Sequence, residues 1–332
     1  MAMFRSKLVY EHIPGIPSCH CSNLIALPDN TIRIAFFAGQ FEKSPDVAIW
    51  GAELQRDNPA LTWSNPHILV DVPNQSMGSP VWYLTPEKRL YLFYLVMHHG
   101  KILPAGWSVC NIRYRISEDL GKTWGPEKYL RKMWFWVTRA LPEVNAIGEV
   151  ILPVHRELGQ YQSMFFVNSK TDLTGTWKRY GRLKTPKGNL EPCITKLATG
   201  ELLCAMRTKD KRIYFSRSAD HGHTWSIPVA SEFPNPNSQV YLKALRSGRV
   251  ILIFNATEKG RSPLALASSN DNGHTWTNPI FLENEPGQEF SYPSIIQTDD
   301  GLIHVSYTYK RSSIKYAVFD EEWINKKLSD GA

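Results

Sequence analysis

Arg207 closes an otherwise apolar run, Leu202-Leu203-Cys204-Ala205-Met206. A guanidinium is seldom carried into such a run without a partner or an anionic ligand to receive it, so Arg207 is the first candidate for ligand binding. Other chemistry-bearing side chains share a second setting, the start of a short apolar strand pattern. They are His20 in Cys19-His20-Cys21-Ser22, Arg139 ahead of Pro142, Glu191 before Pro192, Gln239 after Ser238 and Tyr292 before Pro293. An imidazole, a carboxyl group, a phenol and guanidiniums can together hold an anion and pass protons beside it, the outline of a catalytic constellation. These residues lie far apart in the chain. The chemistry therefore depends on a fold that brings strand starts to one place.

A repeat supplies such a fold. Ser117–Trp124, Ser218–Trp225 and Ser269–Trp276 all read Ser-x-Asp-x-Gly-x-Thr-Trp, with degenerate relatives at Leu61-Thr62-Trp63 and Ser169–Trp177. The pattern predicts a tight hairpin in which Asp bonds its own backbone, Gly takes a positive φ and Trp covers the turn. The tryptophans recur about every 50 residues, the span of a four-stranded propeller blade. A second series of turns, at Asp29-Asn30, Pro86-Glu87, Ile147-Gly148, Thr199-Gly200, Ser247-Gly248 and Asp300-Gly301, each precedes an apolar strand. Six turns predict an all-β, six-bladed propeller occupying residues 1–332 as one domain. The last unit has no box, so residues near Leu8 to Tyr10 are expected to supply its outer strand and close the ring. The innermost strands of a propeller begin at one mouth of the central channel, where the candidate residues would converge.

Composition narrows the ligand. With 38 Lys and Arg against 31 Asp and Glu, the chain carries a net charge of +7, which favours an anionic partner. No run exceeds three basic residues, so a nucleic-acid stripe is not expected and a small acidic ligand fits better. No stretch approaches a membrane span. Residues 1–15 show no leader core, and Met1-Ala2-Met3 reads as an addition ahead of Met3. A cytoplasmic protein, or a secreted one with its leader removed, is expected. Five cysteines, Cys19, Cys21, Cys110, Cys193 and Cys204, lack zinc-finger spacing and are expected as buried free thiols. On simple strand alternation Cys19 and Cys21 would share one face. Neither a metal nor a cofactor is expected.

The repeated boxes, the Glu191-Pro192-Cys193-Ile194 to Arg207 unit, Asn235-Pro236-Asn237-Ser238, Gly260-Arg261-Ser262-Pro263-Leu264 and Ser291-Tyr292-Pro293-Ser294 together resemble the BNR-repeat sialidase-like propellers over almost the whole chain. In that family three arginines hold the sugar carboxylate, a tyrosine activated by a glutamate attacks the anomeric carbon, and an aspartate is the acid/base. The resemblance implies Glu191, sixteen positions before Arg207, as the activating carboxylate, Arg207 and Arg261 as two of the arginines, Tyr292 as nucleophile and Asp46 as acid/base. One position departs: where the family opens its first blade with Arg-Ile-Pro, this chain has His20 among Ser18-Cys19-His20-Cys21-Ser22. An imidazole is a poorer carboxylate clamp than a bidentate guanidinium.

Two chemistries suit these residues. In glycoside hydrolysis at an acidic sugar, Glu191 relieves the phenol of its proton, Asp46 protonates the leaving oxygen and the arginines hold the carboxylate. In β-elimination at a uronate, of the rhamnose–glucuronate type, an arginine neutralises the carboxyl group while His20 and Tyr292 abstract and return protons. A third reading is a glycan-binding propeller without turnover. Glu42, Arg139, Gln239 and Arg311 are further candidates for the pocket wall. His98, His99 and Trp107 are read as a surface loop, and Trp134 and Trp136 as either a sugar-stacking platform or outer-blade packing.

Overall fold

The computed structural model describes residues 2–98 and 106–331. Six antiparallel sheets follow one another around a ring, five with their strands paired in chain order and the sixth completed by the N-terminal strand. Blade 1 comprises Ser18–Ala26, Thr31–Gly39, Ala48–Gln55 and His67–Val70; blade 2, Met77–Leu84, Leu90–Met97, Cys110–Ser117 and Lys128–Arg131. Blade 3 has its inner strand split into Trp136–Thr138 and Glu143–Val144, followed by Val150–Arg156, Gln162–Asn168 and Trp177–Leu183. Blade 4 comprises Asn189–Lys196, Leu202–Thr208, Arg212–Ser218 and Val229–Pro234; blade 5, Tyr241–Ala244, Val250–Asn255, Leu264–Ser269 and Ile280–Glu283. Blade 6 comprises Phe290–Gln297, Ile303–Tyr309 and Ser313–Phe319, and its outer strand is the N-terminal Phe4–Leu8. Closure by the N-terminal segment is as the sequence predicts, shifted a few residues toward the start, with Phe4 opposite Phe319 and Leu8 opposite Lys315.

The boxes form the expected hairpins between the third and fourth strands of their blades, at the end of the ring away from the mouth. In the first, Ser117 Oγ accepts the Gly121 N–H at 2.6 Å, and Asp119 accepts the Thr123 N–H and hydroxyl at 2.8 and 2.6 Å. Ser269, Asp271, Gly273 and Thr275 repeat this. Each box also clasps the preceding blade through the carbonyl just before its glycine. Leu120 O accepts from Arg33 at 2.6 Å, His221 O from Asn145 at 2.9 Å and Asn272 O from Arg217 at 2.7 Å. In the degenerate third unit, Thr171 O and Asp172 O accept from Tyr83 and Tyr91. Trp225 stacks on Phe165 and Trp276 on Phe215, again across the seam. A repeated turn thus serves twice, as hairpin and as inter-blade fastener.

Four inner strands carry the same irregularity near the mouth. In blades 1, 2, 4 and 6 the pairing skips so that two residues face one on the next strand, at Cys21-Ser22, Ser79-Pro80, Glu191-Pro192 and Tyr292-Pro293. The first residue of each pair has a positive φ: 57° at Cys21, 46° at Ser79, 47° at Glu191 and 55° at Tyr292. Such β-bulges re-aim a side chain, and a non-glycine residue held at positive φ stores strain that the surrounding ring must hold in place. The bulge also overturns the expectation that Cys19 and Cys21 share a face. Cys19 packs with Leu24, Ile34 and Tyr316, whereas Cys21 packs with Phe37, Met77 and Tyr292. All five cysteines are buried free thiols.

One α-helix, Glu321–Asp330, lies outside the strand pattern read from the sequence. Asp320 caps it by accepting the Trp323 N–H at 2.7 Å and also receives the Met3 N–H, while Trp323 stacks on Phe4 and packs at a tilt against Phe319. The helix so pins the closing strand in place. No helix among the described residues is long and apolar enough to cross a membrane.

Candidate active site

At the mouth a cavity of about 200 Å³ is lined by His20, Glu42, Glu191, Arg207, Arg261, Tyr292 and Arg311, among others. Its centre is Arg207. Nη1 donates to Glu191 Oε2 at 2.7 Å and to the Tyr292 hydroxyl at 2.6 Å, and Nε donates to Asn237 Oδ1 at 2.9 Å. The bulges turn Glu191 and Tyr292 to the same nitrogen from blades 4 and 6. Among the described residues Nη2 of Arg207 has no hydrogen-bond partner, which leaves one face of the fork for a ligand. Burial would raise the pKa of Glu191, but the charge and hydrogen bond of Arg207 outweigh it and hold the carboxyl below its usual range. Burial dominates at Tyr292 and pushes the phenol up despite Arg207. The pair therefore rests as a carboxylate and a neutral phenol. Guanidiniums of Arg261, Arg139 and Arg207 stand 5.2, 5.7 and 5.9 Å from the Tyr292 ring, a setting that favours negative charge developing on the phenol.

The other cations are held by carboxylates. Glu289 Oε1 receives Arg261 at 2.7 Å and lies 3.1 Å from Arg311 Nε; Glu42 receives Arg311 at 2.9 Å and the Trp107 indole N–H at 2.9 Å. Arg311 belongs to the turn after the second strand of blade 6, so a third guanidinium enters the pocket from the blade next to His20. His20 itself is buried, its ring 4.2 Å from that of Tyr292, with Nδ1 2.8 Å from the Thr308 hydroxyl and Nε2 3.5 Å from Arg261. Burial first, then four surrounding arginines, lower its pKa well below the ordinary value. It is a neutral imidazole.

The structure brings together His20, Glu42, Glu191, Arg207, Arg261, Tyr292 and Arg311. It does not bring Asp46 among them. Asp46 is exposed, and its carboxylate accepts the Gln40 N–H at 2.9 Å and the Ser44 hydroxyl within its own turn. The Phe41–Val47 loop reaches the pocket through Glu42 and Lys43, while Asp46 is turned back into the loop's own hydrogen bonds. Arg139 lies beneath the floor, where Nη2 donates to Ser22 O at 2.6 Å and Tyr292 O at 3.2 Å, so it fastens the bulges of blades 1 and 6 across the axis. Gln239 is fully buried away from the cavity, and its amide has no partner among the described residues. Trp136 is packed in the core between blades 2 and 3, which removes it as a stacking platform, and Trp134 lies against His98. His99 falls outside the described residues.

Sequence reasoning passed over Glu289, His155 and Glu157, and read Trp107 as surface. His155 Nδ1 accepts the Glu191 N–H at 3.1 Å, which places its proton on Nε2, 3.2 Å from Glu157 Oε1; Ser108 donates to Glu157 Oε2 at 2.8 Å. Burial raises the pKa of Glu157, but the His155 and Ser108 hydrogen bonds and Arg207 bring it below its usual range. Among the described residues it is the lining carboxyl group without a hydrogen bond from arginine. A signal was available. His155 and Glu157 end the second strand of blade 3 as Arg207 ends that of blade 4, and applying the Arg207 rule to every blade would have found them.

Residues 30–305 match the sequence model of a family described as the BNR repeat-like domain. The chain belongs to that family. Similar solved structures of this BNR repeat-like propeller include a protein of unknown function from Dyadobacter fermentans (16% identity, TM-score 0.81, covering 96% of this chain and 99% of that one). The intramolecular trans-sialidase of Ruminococcus gnavus, solved with oseltamivir carboxylate, is 14% identical with a TM-score of 0.76 over 96% and 98% of the two chains. The Hadza microbial sialidase Hz136 is 15% identical with a TM-score of 0.76, covering 92% of this chain and 66% of its own. No curated protein sequence matches the BNR repeat-like chain. At these identities the likeness is one of fold.

Proposed function

We propose that this protein is a carbohydrate-active enzyme that cleaves a glycosidic linkage at an acidic sugar. The observation that carries the reading is the meeting of Glu191 and Tyr292 on one nitrogen of Arg207, at the floor of a pocket ringed by Arg261 and Arg311. The substrate carboxylate takes the free face of Arg207 with Arg261 and Arg311. Tyr292 attacks the anomeric carbon as Glu191 accepts the phenolic proton, and the guanidiniums around the ring stabilise the charge that builds on it. Glu157, in place of Asp46, supplies the proton to the leaving oxygen; a bound anionic sugar adds a like charge beside it and raises its pKa toward that task. Water then releases the sugar from Tyr292.

A specific observation favours a second reading. A neutral His20 against Tyr292 is a base–acid pair for β-elimination at a uronate, with the arginines neutralising the carboxylate. Incubation with sialyl-lactose analogues and with rhamnose–glucuronate oligosaccharides separates the two. Reducing sugar without new ultraviolet absorbance supports hydrolysis, and absorbance of an unsaturated product supports elimination. Neither signal, together with measurable binding, leaves a glycan-binding propeller and overturns both.

A further inference from the structure

Apart from the pocket, one surface stands out by its charge. Two shallow depressions adjoin on the flank where blades 2 and 3 meet, one reaching Arg131, Trp136 and Met133, the other Tyr180 and Arg182, and both are lined by Arg156 and Arg179. No carboxylate lines either one. Elsewhere the arginines are mostly ion-paired, as with Arg33, Arg56, Arg89, Arg113, Arg217 and Arg249. Here, among the described residues, the side chains of Arg131, Arg156 and Arg179 have neither a hydrogen bond nor an ion pair to another residue. They are held by stacking instead: Arg131 lies 4.5 Å over Phe166, and Arg156 and Arg179 lie 5.8 and 6.0 Å over Trp136. Aromatic faces orient guanidiniums without consuming their N–H donors. The result is a set of cations fixed in place with donors free, at the cost of mutual repulsion that a polyanion would relieve.

The groove and the pocket share a wall. In the split inner strand of blade 3, Trp136 pairs with Arg156 and Val137 with His155. Val137, His155 and Glu157 line the pocket, whereas Trp136 and Arg156 line the groove. Alternation along one strand pair so sends successive residues to two sides. One strand pair thus divides the pocket from the groove, and a chain extending from one to the other has only this pair to cross.

Resting on the reading of the pocket given above, we propose that the flank groove formed by Arg131, Arg156, Arg179 and Arg182 binds further anionic units of the same glycan, so that the substrate is a polyanionic oligosaccharide and not a single acidic sugar on a neutral carrier.

Titration calorimetry of the whole protein tests this, using a heparin-derived hexasaccharide, neutral cellohexaose and the monosaccharide glucuronate. The wild type is expected to bind the hexasaccharide at least tenfold more tightly than glucuronate and to show no comparable gain with cellohexaose. An Arg131→Gln, Arg156→Gln, Arg179→Gln variant is expected to lose that gain and keep its affinity for glucuronate. Because Arg131 and Arg156 pack on core aromatics, an Arg179→Glu, Arg182→Glu variant, altered only at exposed positions, is measured beside it and is expected to lose as much. Equal hexasaccharide affinity in wild type and both variants, or a gain matched by cellohexaose, overturns the proposal. Tighter binding of an oligothymidylate of equal charge overturns the glycan as occupant in favour of nucleic acid. If Arg207→Ala leaves glucuronate binding intact while the groove variants still lose the hexasaccharide, the reading of the pocket fails and the groove stands as a polyanion site by itself.

Discussion

The two ends of the ring use repetition in opposite ways. At the box end, identical side chains recur because identical work is required: Ser, Asp, Gly and Thr make the same hydrogen bonds in each hairpin, and the carbonyl before each glycine fastens the preceding blade. At the mouth it is the backbone that recurs. Four inner strands carry the same bulge with the same positive φ, but the residue presented is Cys21, Ser79, Glu191 or Tyr292. The difference teaches where to look in a repeat protein. Conformation shared without side-chain identity marks the positions free to acquire chemistry.

That contrast can be broken experimentally. The largest effect is expected from Tyr292→Phe, which keeps the bulge and the ring but removes the hydroxyl: turnover should fall by at least about 10³-fold while ligand affinity stays within a few fold. Steady-state kinetics beside calorimetry checks it, and retained turnover would remove Tyr292 from the chemistry. Arg207→Ala should weaken an acidic sugar by about 10²- to 10³-fold, and should also cost about 3 kcal/mol of folding stability because Glu191 is left buried without its partner. Glu191→Gln in the same background should restore much of the stability and none of the affinity, a separation that denaturant unfolding and calorimetry can resolve.

A pair of buried histidines sharpens the comparison through pH. His304, at the box end between Thr298 and Tyr316, has its pKa lowered to about 4, chiefly by burial. Between pH 6.5 and 4 the unfolded chain takes up a proton that the folded chain refuses. The stability present above pH 6.5 is therefore lost as pH falls through that window, by ~3 kcal/mol at most from this residue. His20 acts in the same direction at the mouth. His304→Gln should flatten the slope of unfolding free energy against pH without abolishing it; an unchanged slope would show that His304 does not titrate as its burial requires. The smallest effect is expected from Ser269→Ala. Losing the acceptor for the Gly273 N–H should cost about 1–2 kcal/mol, with kcat unchanged within twofold.

Much of this was legible in the chain because propeller physics is periodic. The box tryptophans and the Gly-bearing turns give the blade count, and the Glu-Pro and Tyr-Pro strand starts give candidate residues, although the bulges there, and the one at Ser79-Pro80, were not read from the sequence. Arg207 was visible as a guanidinium at the end of an apolar run. The rest was hidden for particular reasons. Asp46 was placed by its distance along the chain, yet a carboxylate beside Ser44 and Gln40 can satisfy itself locally, and it does. Arg139 has the composition of a ligand arginine, but its Nη2 donates to two backbone carbonyls under the floor, a distinction that depends on which side of the axis a residue falls. Glu289 sits three residues before Tyr292, just ahead of blade 6, and meets Arg261 and Arg311 because blades 5 and 6 pack side by side.

Ring closure also sets a timetable. Blade 6 draws one strand, Phe4–Leu8, from the N-terminal side of blade 1 and three from the C-terminal side of blade 5. The sheet that carries Tyr292 is therefore incomplete until Ser313–Phe319 has been made and has paired with Phe4–Leu8. Glu191 and Arg207 lie in blade 4, whose strands are contiguous in the chain, so under the proposed function the pocket gains its phenol only when the ring is latched.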